Sequence, residues 1–168
     1  MIAVVGLSAL QTSSAGNRDS IQTETKSIGW FARTFGNLSW ESAVAATTSP
    51  ASISWQVRRH VTYETIGGES FNNGRETWER RFGDCKAFAF CVADLCEAKD
   101  IVCWVSVVRP IGEHHGHAVT MGVWQGNLWM SSNGIYGEFK SLDAALLSLA
   151  RIKAFRGKSL EFVPLSLM

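Results

Sequence analysis

The 168-residue chain, 46% hydrophobic, is long enough for one domain with a proper core and short for two. Its net charge of +1 and 16 dispersed Lys and Arg residues give no basic field of the kind nucleic-acid binders use, so nucleic acid is excluded as an expected partner. No apolar run approaches the ~20 residues of a membrane-spanning helix, so no membrane span is expected.

Residues 1–52 are rich in Ser, Thr, Ala and Gly and read as an irregular arm with one short helix, starting at Asp19, using Ile21, Ile28 and Phe31, and stopped by Gly36. The run from Ile2 to Leu10 before Ser13, Ser14 and Ala15 has the outline of a secretion signal. It is short and no Lys or Arg precedes it, so a cytoplasmic location is the expectation. Ser49-Pro50 reads as a break, and residues 53–168 as the main folded domain.

Over residues 53–64 two periods compete: Ile53, Val57 and Val61 fall four apart, whereas Ile53, Trp55 and Val57 alternate. Helix is favoured. Gly67-Gly68 and Asn72-Asn73-Gly74 bracket a loop, and residues 76–81 form a short helix that delivers the chain to Gly83.

Gly83-Asp84-Cys85 then opens a helix that ends near Lys99-Asp100. Gly83 supplies a turn, Asp84 is a good N-cap, and Phe88, Cys91, Val92, Leu95 and Cys96 recur at helical spacing. Residues 101–108 are dense in β-branched side chains and read as a buried strand ended by Arg109-Pro110. Residues 117–124 and 127–132 make a hairpin around Gln125-Gly126. Ser141 caps a last helix whose stripe is Leu142, Ala145, Leu146, Leu149 and Ile152, Gly157 stops it, and residues 160–167 close as a strand. The fold class expected is α+β.

Cys85 is the candidate nucleophile. At a helix start it meets backbone N–H groups without intrahelical partners, and Lys86 adds a positive charge, so a depressed thiol pKa is expected. The Cys85 N–H is also a candidate oxyanion donor. A cysteine nucleophile needs a base and a group that fixes the base's tautomer, and the hairpin supplies His117 and Asn133. An odd loop at Gln125-Gly126 brings His117 and Asn133 to one face of the sheet, whereas an even loop separates them.

Cys91, Cys96 and Cys103 read as reduced, buried thiols, too closely placed along one helix to pair easily. His114, His115 and His117 lack a second ligand cluster and the cysteine gaps are not those of zinc sites, so no metal is expected. His114 and His115 read as exposed residues at a cleft mouth.

With Gly83-Asp84-Cys85, His117-Ala118 and Trp129 followed four residues later by Asn133, the chain resembles the transglutaminase-like cysteine peptidases, a branch of the papain-like fold. The resemblance runs over about residues 53–135 and includes the lead-in through Val57-Arg58-Arg59, Tyr63 and Thr77-Trp78. It implies a papain-like core with the nucleophile helix packed on an antiparallel sheet. It also implies a Cys85-His117-Asn133 triad acting through an acyl-enzyme thioester, no cofactor, and a protein or peptide substrate. The family usually carries Asp where this chain has Asn133, and acidic residues after the cysteine where this chain has Lys86. Trp78 and Asp84 are the secondary candidates for oxyanion or substrate contacts. Glutamine deamidation or transamidation would use the same acyl intermediate, and a non-catalytic binding or structural module is the rival from another class.

Overall fold

The computed structural model describes residues 38–66 and 73–165. The signal-like stretch and the helix expected from Asp19 lie outside the described residues. Helix α1 (Trp40–Ala46) is capped by Ser39, and α2 (Pro50–His60) by Ser49 in a reciprocal pair with Ser52. Pro50, which reads as a break in the sequence, is the first residue of α2, where its fixed φ suits a helix and its missing N–H costs nothing. The expected boundary after residue 52 therefore falls inside a helix. Residues 38–52, the described part of the segment before it, are packed on the domain: Ala43 is buried, and Trp78 donates its indole N–H to the Leu38 carbonyl at 2.9 Å.

Strand β1 (Thr62–Tyr63) pairs in parallel with β2 (Phe82–Gly83), and helix α3 (Gly74–Arg80) lies between them in sequence. Arg81, at φ 64, ends α3 in the left-handed region and turns the chain into β2. The Thr62 N–H on the Arg81 carbonyl and the Glu64 N–H on the Gly83 carbonyl, at 2.7 and 2.9 Å, fix the approach to α4 (Cys85–Glu97).

Helix α4 forms as the apolar spacing requires, burying Phe88, Cys91, Val92, Leu95 and Cys96. The Asp84 carboxylate accepts from the Ala87 N–H at 3.0 Å, a cap of about 1 kcal/mol. The helix stops at Glu97, two residues before the expected end, and Asp100 at φ 56 reverses the chain.

The sheet has strand order β6-β5-β4-β3-β7, antiparallel throughout: β3 (Cys103–Pro110), β4 (His117–Trp124), β5 (Asn127–Ser132), β6 (Ile135–Phe139) and β7 (Leu160–Pro164). Together with the helices this is the α+β arrangement expected. Alternation divides the sheet between two cores. One face carries Trp129 and Thr120 toward α2 and α4, where the Thr120 hydroxyl donates to the Ala89 carbonyl at 2.7 Å. The other carries Val108, Val119, Met121 and Met130 against Ala145 and Leu149 of α5 (Leu142–Leu149) and against Phe155 of a following 3-10 turn. Covered on both faces, β4 reads as a continuous buried run from Ala118 to Gly122.

Helix α5 is shorter than its sequence stripe, and Leu142 and Ile152 are exposed. Strand β3 runs through Pro110, past the expected terminator, because Pro110 is its last residue and pairs with Leu160. No helix among the described residues is long and apolar enough to cross a membrane.

Gly74 is where α3 meets α4. A Cβ there would lie 2.6 Å from the Cys91 Cα and the Phe90 carbonyl oxygen, both backbone, while the Gly74 N–H donates to the Asp94 carboxylate at 2.7 Å. Gly74→Ala must push the two helices apart and is expected to cost about 1–3 kcal/mol, read as a lowered urea midpoint. An unchanged midpoint would mean that this contact does not hold α4 in place.

Candidate active site

Cys85 is the first residue of α4, behind its Asp84 cap, as expected. Three backbone N–H groups are directed at its sulfur: its own, that of Lys86, and that of Ala118 on β4. The helix start supplies the first two. The third comes from the central strand and has no sequence signal, since it exists only once α4 packs on β4.

The expected acid shift does not follow. Burial pushes the Cys85 thiol up, and the neighbouring Asp84 carboxylate pushes the same way. The three N–H groups oppose this without overcoming it. Lys86 supplies its backbone N–H, not a side-chain charge that lowers the thiol.

Cys85 opens on a cleft of about 540 Å³. Phe90, Val107 and Ala118 give it an apolar side, and Lys86, His114 and His115 a polar one. His114 and His115 are exposed, where a cleft mouth was expected. Gly116 brings this loop against β3: a Cβ there would lie 2.4 Å from Val107 Cγ1 and 2.6 Å from the Val108 carbonyl oxygen.

His117 is the first residue of β4, next to Ala118, and its Nε2 lies 2.8 Å from the Ser132 hydroxyl. Its ring centroid is 6.5 Å from that of Phe155, and burial lowers its pKa. Strand alternation gives His117 the face opposite to Ala118, and no hydrogen bond joins it to Cys85 among the described residues.

The pairing of His117 with Ser132 follows from the turn. Trp124 pairs with Asn127, so the Gln125-Gly126 loop has two residues, an even number. This is the unfavourable parity, which puts Ser132, Met130 and Leu128 on the His117 face and sets Asn133 apart. Asn133 and Gly134, at φ 49 and 73, form a second two-residue turn joining Ser132 to Ile135. Both values suit the hairpin turn for which Asn-Gly is the favoured pair. Asn133 Oδ1 is buried without a hydrogen-bond partner.

Trp78 is not an oxyanion donor. Its ring is 1% exposed and stacked on His60 at 3.8 Å between centroids, with its N–H already given to Leu38. The Asp84 carboxylate is occupied as the helix cap. Tyr63, opposite Gly83 in the β1–β2 pair, is a further neighbour of the site. Burial raises its phenol, and the charges of Cys85 and Asp84 add to the shift.

The chain matches no known protein family by sequence, and no curated protein matches it. Among solved structures it is similar to one from Cytophaga hutchinsonii described as a candidate cysteine protease, with TM-score 0.43 and 16% identity. The match covers 84% of this chain and 47% of that one, so the chain spans about half of that protein's length.

Because burial raises the Cys85 thiol, its alkylation by iodoacetamide should have a midpoint above that of an unperturbed thiol and be slow at pH 6. Site-resolved labelling across pH checks this, and a midpoint below the ordinary thiol range would mean that the N–H groups outweigh burial.

Proposed function

We propose that the chain is a cysteine hydrolase of amide bonds in peptides or proteins, with Cys85 as nucleophile and His117 as general base. The observation that carries the reading is the sulfur of Cys85 at a helix start, met by three backbone N–H groups and open to a cleft. The same N–H groups suit the oxyanion of a tetrahedral intermediate.

Both partners are neutral near pH 7, a half-buried thiol held up and a half-buried imidazole held down by desolvation. Catalysis then starts by proton transfer from thiol to imidazole, not from a standing ion pair. For Nδ1 to accept that proton, Nε2 must carry the hydrogen and donate it to the Ser132 hydroxyl, which makes Ser132 the positioning residue for the base. The cysteine then attacks the carbonyl carbon, the imidazolium protonates the leaving amine, and water releases the acid from the thioester. His117 stands on the sheet face opposite to Ala118, so a displacement of the start of β4 that brings Nδ1 to the sulfur is part of the proposal.

Asn133 is the alternative orienting residue, supported by its buried and unpartnered Oδ1. The transglutaminase-like resemblance favours the papain-like assignment, in which deamidation or transamidation differs only in the acceptor. The non-catalytic module draws support from the raised thiol and from the absence of a Cys85–His117 hydrogen bond among the described residues.

The test is turnover of a peptide library followed by mass spectrometry, which separates cleavage from deamidation and crosslinking. Cys85→Ala should abolish turnover, and His117→Ala should lower kcat by about 10²–10⁴-fold. His114→Ala and His115→Ala should leave kcat within a few-fold. Ser132→Ala should reduce kcat, whereas Asn133→Gly, which keeps the turn and removes the side chain, should not. A kcat loss with Asn133→Gly but not with Ser132→Ala would make Asn133 the orienting residue. No turnover of any peptide by the wild type, at any pH where it is folded, would leave the non-catalytic module.

A further inference from the structure

Cys96 and Cys103 stand apart from the chemistry proposed for Cys85. Their sequence places them on a helix and a following strand with no sign of pairing, yet the fold brings the two thiols close enough to interact. The backbone explains this. Asp100 at φ 56 reverses the chain, and the Ile101 N–H donates to the Cys96 carbonyl at 2.9 Å, so the first residue of β3 returns against the last turn of α4. There the Cys103 thiol also donates to the Ala93 carbonyl at 3.8 Å.

The two thiols differ in access. Cys96 is fully buried. Cys103 is half-buried and lines a separate surface cavity of about 400 Å³ with Ala93, Glu97 and Asp100. The cavity thus reaches one thiol, and the second lies behind it.

We infer that Cys96 and Cys103 form an oxidisable dithiol, in which Cys103 is attacked first by a hydroperoxide from the surface cavity and Cys96 resolves it to a disulfide. The contact with Cys103 and burial both push the Cys96 thiol up, and Cys103 is the thiol that the cavity reaches, so Cys103 is the group a hydroperoxide meets first. With hydrogen peroxide, the Cys103 thiolate attacks one oxygen and the O–O bond breaks. The sulfur is oxidised to sulfenic acid, and the hydroxide released takes a proton to become water. Cys96 then attacks the Cys103 sulfur and loses its proton, the S–O bond breaks, and a second water leaves. Two thiols and one peroxide give one disulfide and two waters.

The test is graded hydrogen peroxide on the full-length protein, followed by maleimide blocking in denaturant and non-reduced peptide mapping. The expected product is a Cys96–Cys103 disulfide, lighter by two hydrogens and restored by dithiothreitol, formed while Cys85 and Cys91 still take maleimide. Cys96→Ser should stop at a Cys103 sulfenic acid that dimedone captures. The inference is overturned if Cys103 passes to sulfinic acid while Cys96 still takes maleimide, or if Cys85 oxidises before Cys103. Should Cys96→Ser fail to fold, the wild-type map decides alone.

Discussion

The packing of α4 on β4 controls every property of the candidate nucleophile. It ties the middle of the helix to the sheet through the Thr120–Ala89 hydrogen bond. At the helix start the same contact brings the Ala118 N–H to the Cys85 sulfur, and it also removes that sulfur from water. One contact therefore has two opposed effects: the N–H groups favour a thiolate, burial disfavours it, and burial is the larger. A resting thiol is the consequence.

A resting thiol changes the demand on the base. In an ion-paired site the histidine is already charged and its orienting partner must stabilise an imidazolium, which a carboxylate does best. With both groups neutral, the partner has mainly to fix the tautomer, and a hydroxyl that accepts from Nε2 is enough for that. The chain's lack of an acidic residue at Ser132 and Asn133 is consistent with such a site. His114 and His115 line the cleft but have no partner that fixes a tautomer among the described residues, which favours His117 as the base.

Much of this was legible in the sequence, and the failures have physical causes. Local signals were read well: the Asp84 cap, the α4 stripe and the strands of the Gln125-Gly126 hairpin are where spacing and turn chemistry placed them. The third member of the site turned on whether that loop held an odd or even number of residues. A one-residue difference moves every side chain of a strand to the other face, and it is this difference that puts Ser132, not Asn133, beside His117. Asn133-Gly134 carries a hairpin signal of its own, the turn into β6, which competes with a chemical role for Asn133. The Ala118 N–H, the raised thiol and the Cys96–Cys103 contact depend on tertiary packing, and no local pattern encodes them.

The central claim is that Cys85 carries the acyl group. It is tested most directly by rapid acid quenching of the protein with an activated peptide ester, followed by peptide mapping of the adduct. The account predicts an acyl thioester on Cys85 that accumulates within the first turnover and is absent from Cys85→Ala. Substrate consumed with no adduct on Cys85, or an adduct confined to Cys103, would contradict it.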